Sequence, residues 1–427
     1  MDALVLLGSL FALIALGVPV AYSLGLAALV GALWIDIPWE AVMLKISDGV
    51  RNFSLLAIPF FVLAGAIMAE GGMARRLIAL ANVMVGFIRG GLALVNILAS
   101  SFFGCISGSS VADTSSIGSV MIPQMVKNGY PRVFAVNVTV AGSVQAILIP
   151  PSHNAVIYSL AAGGTISIAH LFLAGFLPGL LLGGSLIVLC LIMARRNGYP
   201  KGEPVPLREA GKIVVEAFWG LLTMVIILGG ILSGVFTATE SASVACVYAF
   251  LVTMLVYRDY KWRDLPLLIH RTVKTVAMVM ILIGFASAFG YIMALMQLPA
   301  QVTAFFLTLS ENKYVILLLI NVMLLVLGCL MDLAPLLLIC TPILLPVVVK
   351  FGVDPIHFGM IMLVNLGIGL ITPPVGATLF VGCAIGKVTI EQVTRHIWPF
   401  YLAMIVTLML VTFVPAISLW IPSMVKF

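Results

Sequence analysis

The sequence predicts an all-α polytopic membrane protein built as two inverted repeats, each of about five spans plus one re-entrant helical hairpin. Three observations carry that prediction. First, 62% of the 427 residues are hydrophobic and only 9% are charged, whereas soluble domains carry about 25% charged residues. Mean hydropathy is +1.22, and no soluble core hides that much apolar surface. Second, the two halves match in order. "GCISGSSVADTSSIGSVMIPQMVKNG" (Gly104 to Gly129) aligns with "GCLMDLAPLLLICTPILLPVVVKFG" (Gly328 to Gly352) across one gap, so that Pro123 meets Pro346 and Lys127 meets Lys350. "AGAIMAEGG" (Ala64 to Gly72) faces "FGYIMALMQ" (Phe289 to Gln297), and "GVPVAYSLG" (Gly17 to Gly25) faces "GVFTATESA" (Gly234 to Ala242). Third, each half buries a Pro-Pro pair in an oily run: "LIPPSHNAVIY" (Leu148 to Tyr158) and "LITPPVGATLF" (Leu370 to Phe380). Internal repeats of this kind are a signature of secondary transporters.

A span needs about 20 apolar residues. The run from Ala3 to Ile35 is too long for one span and short for two, but its counterpart divides cleanly, so it is split near Gly17. Ala3 to Leu16 has no basic leader and no cleavage site and is read as a retained membrane segment. The first repeat, 1–194, then holds spans at about 3–17, 18–35, 53–70 and 168–194, a hairpin at about 92–127 and a broken span at about 131–162. A polar linker follows at 195–212. The second repeat, 213–427, holds spans at about 214–233, 237–257, 275–297 and 397–421, a hairpin at about 314–350 and a broken span at about 356–386. Five spans is an odd number, so the second repeat must be inverted relative to the first.

Charge sets the orientation. With the N-terminus outside, the inner loops collect 17 of the 22 basic residues, leaving Lys45, Arg51, Lys313, Lys350 and Lys426 outside. Cytoplasmic loops are enriched in Lys and Arg, so both termini are expected outside, the first hairpin entering from the cytoplasm and the second from the other face. This distribution accounts for the net charge of +6 without a nucleic-acid partner. The six cysteines sit singly in apolar runs and read as small core residues.

Backbone inside hydrocarbon must be paired, so non-helical chain is tolerated only where protein or a wet cavity covers it. A proline removes a donor and clashes with the preceding turn; Pro150-Pro151 and Pro373-Pro374 do so twice each. The freed carbonyls suit Na⁺, and the positive N-termini of half-helices suit carboxylates. The hairpin tips supply further oxygens. "SGSSVADTSS" (Ser107 to Ser116) is too polar to face lipid, and "MDLAP" (Met331 to Pro335) is its counterpart. Asp113 and Asp332 are intramembrane carboxylates, costly by at least ~2.5–3.5 kcal/mol and therefore functional candidates; each also suits a helix cap. Glu240, near a span start, reads as a cap or an interface contact. His153 and Asn154 border the first break and are candidate cargo contacts, whereas His170, His270, His357 and His396 fall at segment ends. The expectation is two Na⁺ sites, each spanning a hairpin tip and a Pro-Pro break, with the cargo carboxylate near Ser109 or Ser152 and with Pro151 and Pro373 beside it.

Enzyme motifs are missing: there is no HExxH, GxSxG or Walker sequence. An intramembrane aspartyl protease would use two aspartates, but its Gly-x-Gly-Asp pattern is absent. A non-transporting scaffold leaves the matched breaks unexplained. No organic cofactor is implied, and any energy must come from an ion gradient or another chain.

Taken together, "IPFFVLAGAIM", "SGSSVADTSSIG", "IPPS", "GVFTATESASVA", "MDLAPLLLICTPILLP" and "GLITPPVG" resemble the large membrane subunit of tripartite ATP-independent periplasmic (TRAP) transporters across the whole chain. The resemblance implies an elevator-type, Na⁺-driven importer of organic acids in the bacterial inner membrane. It also implies two partners, a small four-span membrane subunit on a separate chain and a periplasmic substrate-binding protein. It places ion and cargo binding on Ser107, Gly108, Ser109, Ser110 and Asp113, on Pro150, Pro151 and Ser152, on Asp332 and Pro335, and on Asn365, Thr372, Pro373 and Gly376. Ala66 stands where many relatives carry glutamate. "PPSHNAVIYSLAAGG" resembles the sialic acid branch more than the dicarboxylate members, with C4-dicarboxylates and other sugar acids as alternatives.

Overall fold

The computed structural model describes residues 1–425; Lys426, assigned above to the outer side, lies outside them. Among the described residues the regular elements are helices, with one isolated β-bridge between Arg89 and Lys201. Seven helices are long and apolar enough to cross a bilayer, or eight if the bent pair Ile390–His396 and Trp398–Phe413 counts as one span. The ten spans expected above include shorter pieces: Asp2–Ala15, Val20–Trp34, and the two halves of each broken span. All six cysteines are free.

Both hairpins form where expected, as Gly91–Ser107 with Ser110–Lys127 and as Lys313–Leu330 with Leu333–Lys350. Both broken spans break where expected. Arg132–Ser143 runs through a 3-10 turn, Val144–Ile147, and resumes as His153–Ala161; Pro355–Gly369 resumes as Ala377–Gly386. The Pro150-Pro151 and Pro373-Pro374 bonds are cis. Glu240 closes a capping box with Thr237, as read from sequence. His357 is buried against Ser418 and the carbonyl of Thr412, a structural role.

The sequence reading missed four helices between spans: Trp39–Gly49, Met73–Val85, Leu298–Leu309 and Ile390–His396. Each has fewer than the ~20 residues that mark a span. Trp39–Gly49 and Met73–Val85 also carry charge, with Glu40, Lys45 and Asp48 on one and Arg75 and Arg76 on the other. The last expected span, 397–421, divides after Phe413, and Ala416–Met424 is separate.

The helices pack in two groups. Asp2–Ala15, Val20–Trp34, Trp39–Gly49, Ala57–Glu70, Leu207–Leu232, Ala238–Leu251 and Leu265–Leu295 pack mainly on one another. The hairpins and broken spans pack together with Ile168–Asn197 and Trp398–Phe413. Within the second group each half reaches into the other. The resumed helix Ala377–Gly386 packs on the first hairpin's Ser110–Lys127, and His153–Ala161 packs on the second hairpin's Leu333–Lys350.

Close backbone approach joins each hairpin to its own half's broken span, and glycine permits it. A Cβ on Gly104 would sit 2.6 Å from the Cα of Ala146. One on Gly369 would sit 2.7 Å from the backbone of Gly328. Ala146 and Gly369 each lie four residues before the first proline of their break, so the contact recurs in register. Gly369→Val is therefore expected to lower stability by about 1–3 kcal/mol through overpacking. Gly184→Ala, with nothing within 4 Å, is expected to be neutral. Thermal midpoints of the purified protein decide; equal midpoints for both variants would contradict the close-packed joint.

Candidate functional site

The first hairpin turns at Gly108, whose left-handed backbone (φ 57°) needs no Cβ. Ser109 then caps the second arm by accepting from the Ala112 N–H at 3.3 Å. This tip sits on the first break. A Cβ on Gly108 would meet the Pro151 carbonyl oxygen at 2.8 Å and Ser152 Cα at 3.2 Å. Asn154 Nδ2 donates to the Gly108 carbonyl at 3.2 Å. Ser110 Oγ lies 2.9 Å from Ser143 Oγ, before the first break, and 2.9 Å from Thr378 Oγ1, after the second. One hydroxyl thus joins the first hairpin to both broken spans.

The oxygens left over are the chemistry of this site. Among the described residues, the carbonyls of Ile149, Pro150 and Pro151 accept no hydrogen bond. Ser152 Oγ is buried and unpartnered. Asp113, one turn into the arm, is fully buried with both carboxylate oxygens unpartnered. The Ser100 hydroxyl lies beside it but makes no hydrogen bond of ordinary geometry. A buried carboxylate in that state requires a proton or a cation. His153 is half-buried, and its ring makes no hydrogen bond.

The second break is built differently. Asp332 caps its arm through the Leu333 N–H at 2.9 Å, and its side chain still reaches the surface. Pro335 is buried one turn on. The break touches the hairpin through the Val375 N–H, which donates to the Cys329 carbonyl at 3.1 Å. The N–H groups of Thr378 and Leu379 both donate to the Leu370 carbonyl, closing the loop on itself. Thr372 Oγ1 bonds back to the Ile368 carbonyl at 2.8 Å. The carbonyls of Thr372, Pro373, Pro374 and Val375 accept no bond, and Pro374 and Val375 are exposed. Gly376 is buried, at φ 17°. No hydrogen bond joins Asp332 to Thr372.

Asn365 lies one turn before Gly369, further into the helix than the break itself. It donates to the Asn321 carbonyl at 2.9 Å and to Asn321 Oδ1 at 2.8 Å, and Asn321 donates to Thr412 at 3.0 Å. In the first half, Asn96 of the hairpin donates to Thr139 of the broken span at 2.7 Å. Sequence reasoning missed these partners, and with them Ser143, Thr378, Gln145 and Tyr401. Gln145 donates to the Ile97 carbonyl at 2.6 Å and accepts from Ser101. The Tyr401 hydroxyl donates to the Ile371 carbonyl at 2.8 Å. A glutamine and asparagines in oily runs were the available signal.

A family model described as "Tripartite ATP-independent periplasmic transporter, DctM component" matches residues 7–417. The chain belongs to this family. It is 39% identical, over 99% of both chains, to the C4-dicarboxylate TRAP transporter large permease protein DctM of Rhodobacter capsulatus. It is also 39% identical, over 98% of its length and 97% of the relative's, to the sialic acid TRAP transporter large permease protein SiaM of Vibrio cholerae. The solved YdaH transporter of Alcanivorax borkumensis is similar in fold, with TM-score 0.61, 14% identity and coverage of 90% and 88% of the two chains. The protein is thus a multi-pass membrane transporter subunit and not an enzyme. Large permeases of this family work with a small membrane subunit and a periplasmic binding protein.

Ser110 carries the joint of this TRAP permease. Ser110→Val leaves the Ser143 and Thr378 hydroxyls facing a methyl group and should cost about 1–3 kcal/mol. The thermal midpoint is expected to fall, and a midpoint equal to the parent's would show that the bridge contributes nothing.

Proposed function

We propose that this TRAP large permease imports an organic acid against its gradient by coupling it to Na⁺, the acid being delivered by a periplasmic binding protein. The observation that carries the reading is the first hairpin tip seated on the first break, with Ser152 Oγ and the carbonyls of residues 149–151 unbonded there. Na⁺ is a hard cation that takes several such oxygens. A second Na⁺ is assigned to the second tip and break, from Asp332, Thr372 and the free carbonyls of residues 372–375. The cargo carboxylate is placed between the two, near Ser109, Ser152 and the N-terminus of His153–Ala161, where the helix dipole favours anions.

The two packing groups support an elevator movement, with hairpins and broken spans carried as one body against the remaining helices. The repeated hairpin, break and glycine contact support two repeats, and an odd number of spans in each supports their inversion. The distribution of basic residues supports an orientation with both termini periplasmic, and the assigned location is the inner membrane. The assigned cargo is sialic acid or a similar sugar acid, from the "PPSHNAVIYSLAAGG" stretch. Overall identity does not separate that cargo from C4-dicarboxylates, because relatives named for each are 39% identical. Thermal shift of the cognate binding protein with N-acetylneuraminate and with succinate identifies which acid is delivered.

Uptake by the complete complex in proteoliposomes should require an inward Na⁺ gradient and collapse when the gradient is dissipated. Asp332→Ala is expected to lose accumulation and weaken Na⁺ dependence while still assembling with the small subunit. An unchanged Na⁺ response would leave Asp332 a cap alone. For orientation, Lys313→Cys should react with an impermeant reagent from the periplasmic side and Lys201→Cys should not; the reverse pattern inverts both hairpins.

A further inference from the structure

A cavity of about 420 Å³ lies between the end of helix Ala57–Glu70, the start of Met73–Val85 and the outer face of the first hairpin's second arm. Pockets for small molecules run from about 300 to 1,000 Å³. This cavity is separate from the break site, because the arm has two faces. Asp113 and Thr114 are buried inward, while Ser115 and Ser119 are exposed and Ser116 is half-exposed on the other side. Ser115 and Ser119 stand one turn apart and so share a face. A hydroxyl face on a hairpin arm is matched to water and not to hydrocarbon.

The wall opposite carries charge. Glu70 is answered by Arg271 at 2.9 Å and by the Tyr260 hydroxyl at 3.1 Å. Arg76 is held by Asp259 and the Gly72 carbonyl and lies over the Tyr257 ring. Arg75 is exposed, lines the cavity and makes neither an ion pair nor a hydrogen bond. The Ser115 and Ser116 hydroxyls also make none, while Ser119 donates to the Ser116 carbonyl. The result is one unneutralised guanidinium across from free hydroxyls, the donor set that a carboxylate takes. At the opposite end of helix Ala57–Glu70 a second cavity, of about 370 Å³, is lined by Asp48, Asn52 and Ser287 and by no Lys or Arg. An anion therefore finds a cationic attractor in only one of these two cavities.

We infer that Arg75 and the Ser115–Ser116–Ser119 face form a carboxylate-binding station on the cargo's route from the break site to the Arg75 end of the permease. The inference rests on the transport reading for its cargo, but the site has its own chemical readout. Arg75 attracts the carboxylate and the serines donate to it. The station draws the anion away from the hairpin tip without a permanent counter-charge at the break.

The test uses the detergent-solubilised complex, where both faces are open. Ser116→Cys, or Ser119→Cys if the first fails to fold, is labelled with a methanethiosulfonate bearing a sulfonate and with one bearing a trimethylammonium. Rates are corrected with a free thiol and for the six native cysteines. The anionic reagent should react about tenfold faster, the lower end of electrostatic focusing in a cleft. Arg75→Gln should remove the preference and Arg75→Lys should keep it. Millimolar N-acetylneuraminate or succinate should slow labelling only when position 75 is cationic. Equal rates for the two reagents, or a preference untouched by Arg75→Gln, overturns the station. A preserved preference in a complete complex that accumulates neither acid leaves the station standing and overturns the import reading.

Discussion

A backbone group without a partner cannot be left in hydrocarbon, and this chain opens its backbone twice inside apolar segments. Much of the second packing group follows from covering those openings. Gly108 and Gly104 bring the first hairpin onto the break at Pro150-Pro151, and Gly328 and Gly369 do the same for the second. Asn154 reaches back to the Gly108 carbonyl, and Tyr401 takes the Ile371 carbonyl. The resumed half-helices are too short to stand alone, and each lies against the other half's hairpin. The unbonded oxygens and the structural joint are therefore the same feature.

The two halves meet that constraint with different chemistry. The first break is buried along its whole length and tied by a side chain, Asn154. The second is tied by a backbone donor, Val375, and has Pro374 at the surface. Ser109 and Asp332 each cap the second arm of their hairpin, so one tip offers a hydroxyl and the other a carboxylate. The compensating acid in the first half is Asp113, a turn deeper and enclosed. The two joints between hairpin and break are thus chemically unequal. The serine face behind Asp113 adds a second polar surface to that arm, turned away from both breaks.

Much of this was legible in the residues. Pro150-Pro151 and Pro373-Pro374 announce the breaks, because proline cannot continue a helix. "SGSSVADTSS" announces a tip too polar for lipid. Glu240 is a cap, one of the two roles read for it. Met73–Val85 and the other short connecting helices escaped, because each falls short of the ~20 apolar residues that mark a span. Asn365 was named from the resemblance, but its pairing with Asn321 was not foreseen. Nothing in the spacing of residues 321 and 365 says that they meet.

By itself the sequence determined the membrane class and where the helices break. These follow from local causes, namely hydropathy and proline. Tertiary structure decided which oxygens stay free, that Ser110 joins both broken spans, and that Arg75 faces a serine-lined cavity unpaired. Such facts depend on residues up to 268 positions apart, as Ser110 and Thr378 are. Chain-distant contacts arise only when packed backbones bring them together, and no local preference encodes them.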